Sequence, residues 1–138
     1  MSTSDRDRSI LLIVRIVSAL FLLAAGGIHL FMVVGGTGGI LGVTFVLNFI
    51  AGMVLGIGML VAPSRFLLGV TVLGLLFLLA SLGALLIAMT VGLFGVQPTW
   101  DYPLVPETVI LEAIGVVVLA VATVIVFRHR RAELGLSR

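Results

Sequence analysis

The chain has 138 residues, of which 61% are hydrophobic and only 10% charged, with a mean hydropathy of +1.37. That balance lies far from a soluble globular average and points to one small membrane domain. The formal net charge is only +2 and there is no cysteine, which excludes disulfide exchange, thiolate zinc sites and iron–sulfur clusters within the chain.

Four apolar runs follow one another, at residues 10–34, 40–62, 66–92 and 107–127. Each is long enough to cross a hydrocarbon core that needs about 20 helical residues. Ser4 and Asp7 ahead of the first run have capping-box spacing, so its helix is expected to start before the bilayer. The run is too long for a signal-peptide core, Arg15 interrupts it and no clear cleavage site follows, so a retained span is expected. Arg15 then lies about one helical turn inside, within snorkelling reach of headgroups. Arg15, Ser18, Leu22, Gly26 and His29 recur at steps of three and four, a stripe expected to look into the bundle.

The turn Gly35-Gly36-Thr37-Gly38-Gly39 is too glycine-rich for stable helix, and its brevity pairs the first two helices. The second run carries Asn48 and the small residues Gly52 and Gly56. It ends at Ala62-Pro63-Ser64-Arg65, where Pro63 disfavours helix at Ala62 and Ser64 is a candidate cap for the next helix. The third run carries Ala80, Ala84, Ala88 and Gly92 at four-residue spacing. These residues, with Gly52 and Gly56, are expected to be packing ridges, because small residues let backbones approach where lipid removes the hydrophobic drive. The same ridges could dock a second copy or a partner subunit.

Residues 95–106 hold the only Trp and Tyr and three of the four prolines. Trp100 and Tyr102 suit anchoring at a membrane interface, with Asp101 solvated between them; a ligand lid is the alternative. Gln97 and Glu107 are expected to be solvated as well. Pro106 and Glu107 are good starters for the fourth helix. All eight basic residues are arginines, and Arg6, Arg8, Arg15, Arg65, Arg128, Arg130, Arg131 and Arg138 all cluster at alternate ends of the runs. By the positive-inside rule both termini and the 62–65 turn face the cytoplasm, and the expected fold is an all-α, antiparallel up-down four-helix bundle. The expected location is a bacterial cytoplasmic membrane, with lipid as the first partner and no nucleic acid, since the basic residues flank spans.

Polar groups within lipid are costly, which makes function the default reading for His29, Asn48 and Glu112. Counted at 1.5 Å per residue, all three lie about 7 to 11 Å below the outer helix ends, in one layer. The shared layer would let His29, Asn48 and Glu112 meet, and a carboxyl group one turn into lipid must be protonated, paired or wet, so Glu112 is read either as a structural partner of His29 or as a proton or cation site. Asn48 is expected to bridge helices through its amide. One His and one Glu do not fill a zinc site, and a bis-histidine haem would need a second copy's His29, because His129 lies at the opposite face; no metal or cofactor is expected. The usual catalytic signatures are missing, so no enzyme is expected.

These residues carry a resemblance. Gly26-Gly27-Ile28-His29-Leu30, Phe45-Val46-Leu47-Asn48, Gly92-Leu93-Phe94-Gly95 and Glu112 resemble a group of small, uncharacterised four-helix membrane proteins of actinobacteria. The layout is similar over nearly the whole chain, and it implies the four-helix fold but no activity. DoxX-like proteins are similar in layout alone. Small multidrug exporters also carry one membrane glutamate, but in their first helix rather than the fourth.

Two readings follow. In the favoured one the chain is a non-enzymatic structural or accessory subunit that binds itself or a larger membrane complex. In the other, His29, Asn48 and Glu112 line an outward pocket for a cation, a proton-coupled solute or a lipid. A hydrogen-bonded His29–Glu112 pair without a cavity favours the first, and a wet pocket favours the second.

Overall fold

A computed structural model describes residues 3–135, with side-chain detail from residue 5 onward. The Ser4 side chain, on which the capping box rested, and Arg138 lie outside the described residues. The described chain is four helices: α1 Thr3–Val34, α2 Gly39–Val61, α3 Ser64–Val91 and α4 Val105–Glu133. All four are long and apolar enough to span a membrane. Large apolar side chains such as Leu12, Phe31, Val54, Leu73, Val117 and Val121 stay exposed on their outer faces. Such surface suits lipid and would be a liability in water.

Helix ends follow local chemistry. Gly36 and Gly39 take positive φ in the first turn. Ala62 is extended before Pro63, as a pre-proline residue must be, and Pro63 rather than Ser64 occupies the cap position of α3. Ser64 is instead the first residue of α3, and no side chain caps that end. Polar flanks lengthen the outer helices beyond their apolar runs: α1 starts at Thr3, and α4 continues through Arg128, Arg130 and Arg131 to Glu133.

The helices form a ring in which α1 packs most extensively on α2, α3 on α4, and α4 returns to α1. The α1–α2 seam is a backbone approach. A Cβ built on Gly52 would sit 2.8 Å from the Leu22 carbonyl oxygen and 2.9 Å from Gly26 Cα, so no side chain fits there. At the α3–α4 seam, Gly74 receives Leu119 and Gly115 receives Leu78, with Phe21 of α1 beside it. Leu22, Met59, Leu78 and Leu119 complete the core. The stripe of α1 faces inward as expected, with Ser18, Leu22, Gly26 and His29 buried.

Arg15 differs from the snorkelling expectation. Its guanidinium Nη1 donates to the carbonyls of Ala62 (2.8 Å), Leu60 (3.3 Å) and Met59 (3.4 Å), the last turn of α2. Those carbonyls have no partner within their own helix, and a cation at a helix C-terminus also meets the negative end of the dipole. Gln97 does the same for α3: its side-chain amide donates to Thr90 (2.9 Å) and Met89 (3.3 Å) carbonyls, so it is a cap rather than merely solvated.

Between α2 and α3 the packing is sparsest of any sequential pair. Gly58 meets Val70 near the 62–63 turn. Toward the other end, Asn48 on α2 and Ala80 and Ala84 on α3 face a cavity instead of each other.

Candidate functional cavity

The space left between α2 and α3 is a cavity of about 390 Å³ reached by all four helices and closed over by the segment 93–104. Most of its wall is apolar: Met32, Leu41, Phe45, Phe77, Leu85 and Val105. The α3 ridge expected to pack helices does something else. Ala80, Ala84 and Ala88 line this cavity, and Ala80 and Ala84 are exposed. Their smallness creates volume where a larger residue would fill it. Gly92 ends α3 with φ 81° and is not part of a packing ridge, whereas Gly52 and Gly56 pack within the chain as expected, on Leu22 with Gly26 and on Leu23.

The three intramembrane polar residues all reach this cavity. His29 is buried at the α1 wall, its Nδ1 2.8 Å from the Ala25 carbonyl oxygen. A carbonyl accepts only, so Nδ1 carries a proton, and when the ring is neutral Nε2 keeps a lone pair. The Phe45 ring stands edge-on to the imidazole at 5.2 Å and holds its plane. Asn48 is half-buried and makes no hydrogen bond among the described residues, so the expected interhelical bridge is not formed.

Glu112 is completely buried on α4. No ion pair joins it to His29 among the described residues, so of the two alternatives for Glu112 the His29 pair is not formed. Its partner is Ser81 of α3, whose Oγ donates to Oε1 at 2.6 Å. The other oxygen, Oε2, is buried without a partner among the described residues. Ser81 is not among the candidates the sequence singles out, although Leu67, Thr71, Gly74, Leu78 and Ser81 recur at steps of three and four and form the buried face of α3. The alanine ridge through Ala80 lies on the neighbouring face.

Two threonines of the wall are already committed: Thr44 Oγ1 donates to the Leu41 carbonyl at 2.8 Å and Thr108 Oγ1 to the Leu104 carbonyl at 2.6 Å. Without a side-chain partner among the described residues are His29 Nε2, the Asn48 amide, the Thr37 and Tyr102 hydroxyls and Glu112 Oε2, the last fully buried behind the cavity surface.

The segment above is built to cover. Leu93 and Val96 exchange backbone hydrogen bonds of 2.8 and 3.0 Å around Phe94 and Gly95, whose φ values of 52° and 80° match a type I′ hairpin turn. Leu104 precedes α4 with φ 66°, so the helix begins at Val105, with Pro106 one residue later than the expected first position. Positive φ at a non-glycine residue costs about 1–3 kcal/mol. Both strained residues, Phe94 and Leu104, place side chains on the cavity. Of the three outer-loop candidates, Tyr102 reaches the wall, whereas exposed Trp100 and Asp101 do not. No cluster of three or more His, Cys, Asp or Glu able to hold a metal occurs among the described residues. In comparisons with family models, curated proteins and solved structures, the chain matches none.

Proposed function

We propose that this chain is a non-enzymatic binding protein of the bacterial cytoplasmic membrane, which takes a small lipid-soluble amphiphile into the cavity between α2 and α3. The observation that carries the reading is a mostly apolar cavity of about 390 Å³ that ends on polar atoms without partners. Ligand sites are typically of this kind: concave, largely apolar, with a few convergent polar groups that fix orientation. The order of the two readings drawn from the sequence is thereby reversed. An accessory subunit needs neither the cavity nor an unpartnered Glu112 oxygen, and the alanine ridge that would have docked a partner helix is spent on the cavity wall.

The proposed arrangement in the membrane is an antiparallel up-down bundle with both termini and the 62–65 turn in the cytoplasm. Support comes from the one-sided arginines and from the seams, where Arg15 meets Ala62 and Leu22 meets Gly52, so that positions rise on one helix as they fall on the other. The cavity then opens in the outer leaflet, under the 93–104 segment. Kinship with the actinobacterial four-helix group is also a proposal; its marks His29, Asn48 and Glu112 line the cavity, and Leu93 and Phe94 cover it.

The test is calorimetric titration of 4-phenylbutanol into protein held in phosphatidylcholine nanodiscs, with empty nanodiscs subtracted. Saturable binding that Ala84→Phe removes is the expected result. Binding unaffected by that substitution, or no binding above the lipid blank, would sink the reading.

A further inference from the structure

The geometry points to a lipophilic amine as the class of ligand, its ammonium group resting against the Glu112 carboxyl group. The inference rests on the binding reading above and narrows it.

The cavity wall contains one acid, Glu112, and no arginine; the chain has no lysine to offer. Its histidine already gives its Nδ1 proton to the Ala25 carbonyl, and in the neutral ring Nε2 is an acceptor. Ser81 donates to Oε1 and so supports charge on the carboxyl group, yet Oε2 is buried with no partner among the described residues. A buried carboxyl oxygen left open is costly, and native structures rarely keep one without a use. The group that satisfies it best is a cation with N–H donors, because charge-assisted hydrogen bonds are the strong ones.

Acceptors stand in the same wall: His29 Nε2 of the neutral ring and the Asn48 carbonyl oxygen, beside the Asn48 NH2 and Tyr102 hydroxyl, which can also donate. Phe45, Phe77, Phe94 and Tyr102 present rings to the same space, and ring faces attract cations once water is excluded. An anion finds no donor-rich surface here. A bare metal ion finds too few ligands, since no group of three metal-binding side chains occurs among the described residues. The apolar remainder of the wall accommodates a hydrocarbon body, which a hydrated inorganic cation does not have.

Three probes of one skeleton test this: 4-phenylbutylamine, 4-phenylbutanol and 4-phenylbutanoate, titrated into the protein in nanodiscs of zwitterionic phosphatidylcholine. The amine is expected to bind about tenfold or more tighter than the alcohol, and the acid not at all. Glu112→Asp should keep an amine preference, and Glu112→Gln should collapse the amine-to-alcohol ratio toward one. If the alcohol binds in an Ala84→Phe-sensitive way but the amine is no tighter, the amine assignment falls and the binding reading stands. If none of the probes binds, both fall. Should Glu112→Gln not fold, the wild-type ratio of amine to alcohol decides alone.

Discussion

Ser81 on α3 donates a 2.6 Å hydrogen bond to Oε1 of Glu112 on α4, and Oε2 of the same carboxyl group is left buried with no partner among the described residues. One bond thus ties the two helices together beside the cavity, while the second oxygen stays buried and unpartnered. Stability and binding meet in a single side chain.

Ser81→Ala removes the one hydrogen bond that carboxyl group makes among the described residues and should destabilise the fold by about 1–3 kcal/mol, the cost of an unsatisfied buried polar group. Replacing both partners, as Ser81→Ala with Glu112→Met, removes the need as well as the bond. The double variant should return to within about 1 kcal/mol of the parent. Thermal unfolding in detergent, read as a double-mutant cycle, checks the non-additivity; additive losses would show that the pair is not coupled.

Gly52 and Ala84 should respond in opposite ways to added volume. Gly52→Ala pushes a methyl group into the Leu22 carbonyl and Gly26 backbone, neither of which can swing aside, and should cost about 1–3 kcal/mol. Ala84→Leu grows into the cavity and should change stability by no more than about 0.5 kcal/mol while weakening ligand binding. Melting temperatures measured side by side decide this, and similar losses at the two sites would mean that Ala84 packs a helix after all.

Arg15→Ala should loosen the end of α2 and lower stability by about 1–2 kcal/mol, since three carbonyls lose their charged donor. Arg15→Lys should recover part of this loss. Hydrogen exchange at the last turn of α2 should rise in the alanine variant. A headgroup-snorkelling arginine would leave that turn unchanged.

The absence of cysteine makes topology simple to read. Ser64→Cys, at the start of α3, and Asp101→Cys, in the segment before α4, each place one exposed thiol at a different end of the bundle. A membrane-impermeant maleimide applied to intact cells should label Asp101→Cys, and should reach Ser64→Cys only after permeabilisation. The reverse pattern would invert the proposed orientation.

Much of this was legible in the chain itself. Hydropathy is a local property, so the four apolar helices could be read with their turns at Gly35–Gly39 and Pro63. Arginine placement is equally local. The inward stripe through Ser18, Leu22, Gly26 and His29 was legible because helical periodicity sets which residues share a face. Depth counted along each helix put His29, Asn48 and Glu112 in one layer, since rise per residue is constant, and all three line one cavity.

What periodicity leaves open is how far one helix stands from the next and which way each is turned. Those were decided by steric contacts between distant positions: Gly52 against Gly26 draws α1 and α2 together, and Leu78 in the notch of Gly115 clamps α3 to α4. With both pairs closed, α2 and α3 part toward the 93–104 end, and the space between them becomes the cavity. The same rotation brings Ser81 rather than His29 to Glu112, and turns Ala80, Ala84 and Ala88 toward open volume. Sequence alone determined that the polar layer exists; only the tertiary packing determined that it faces a cavity and that one oxygen in it has no partner.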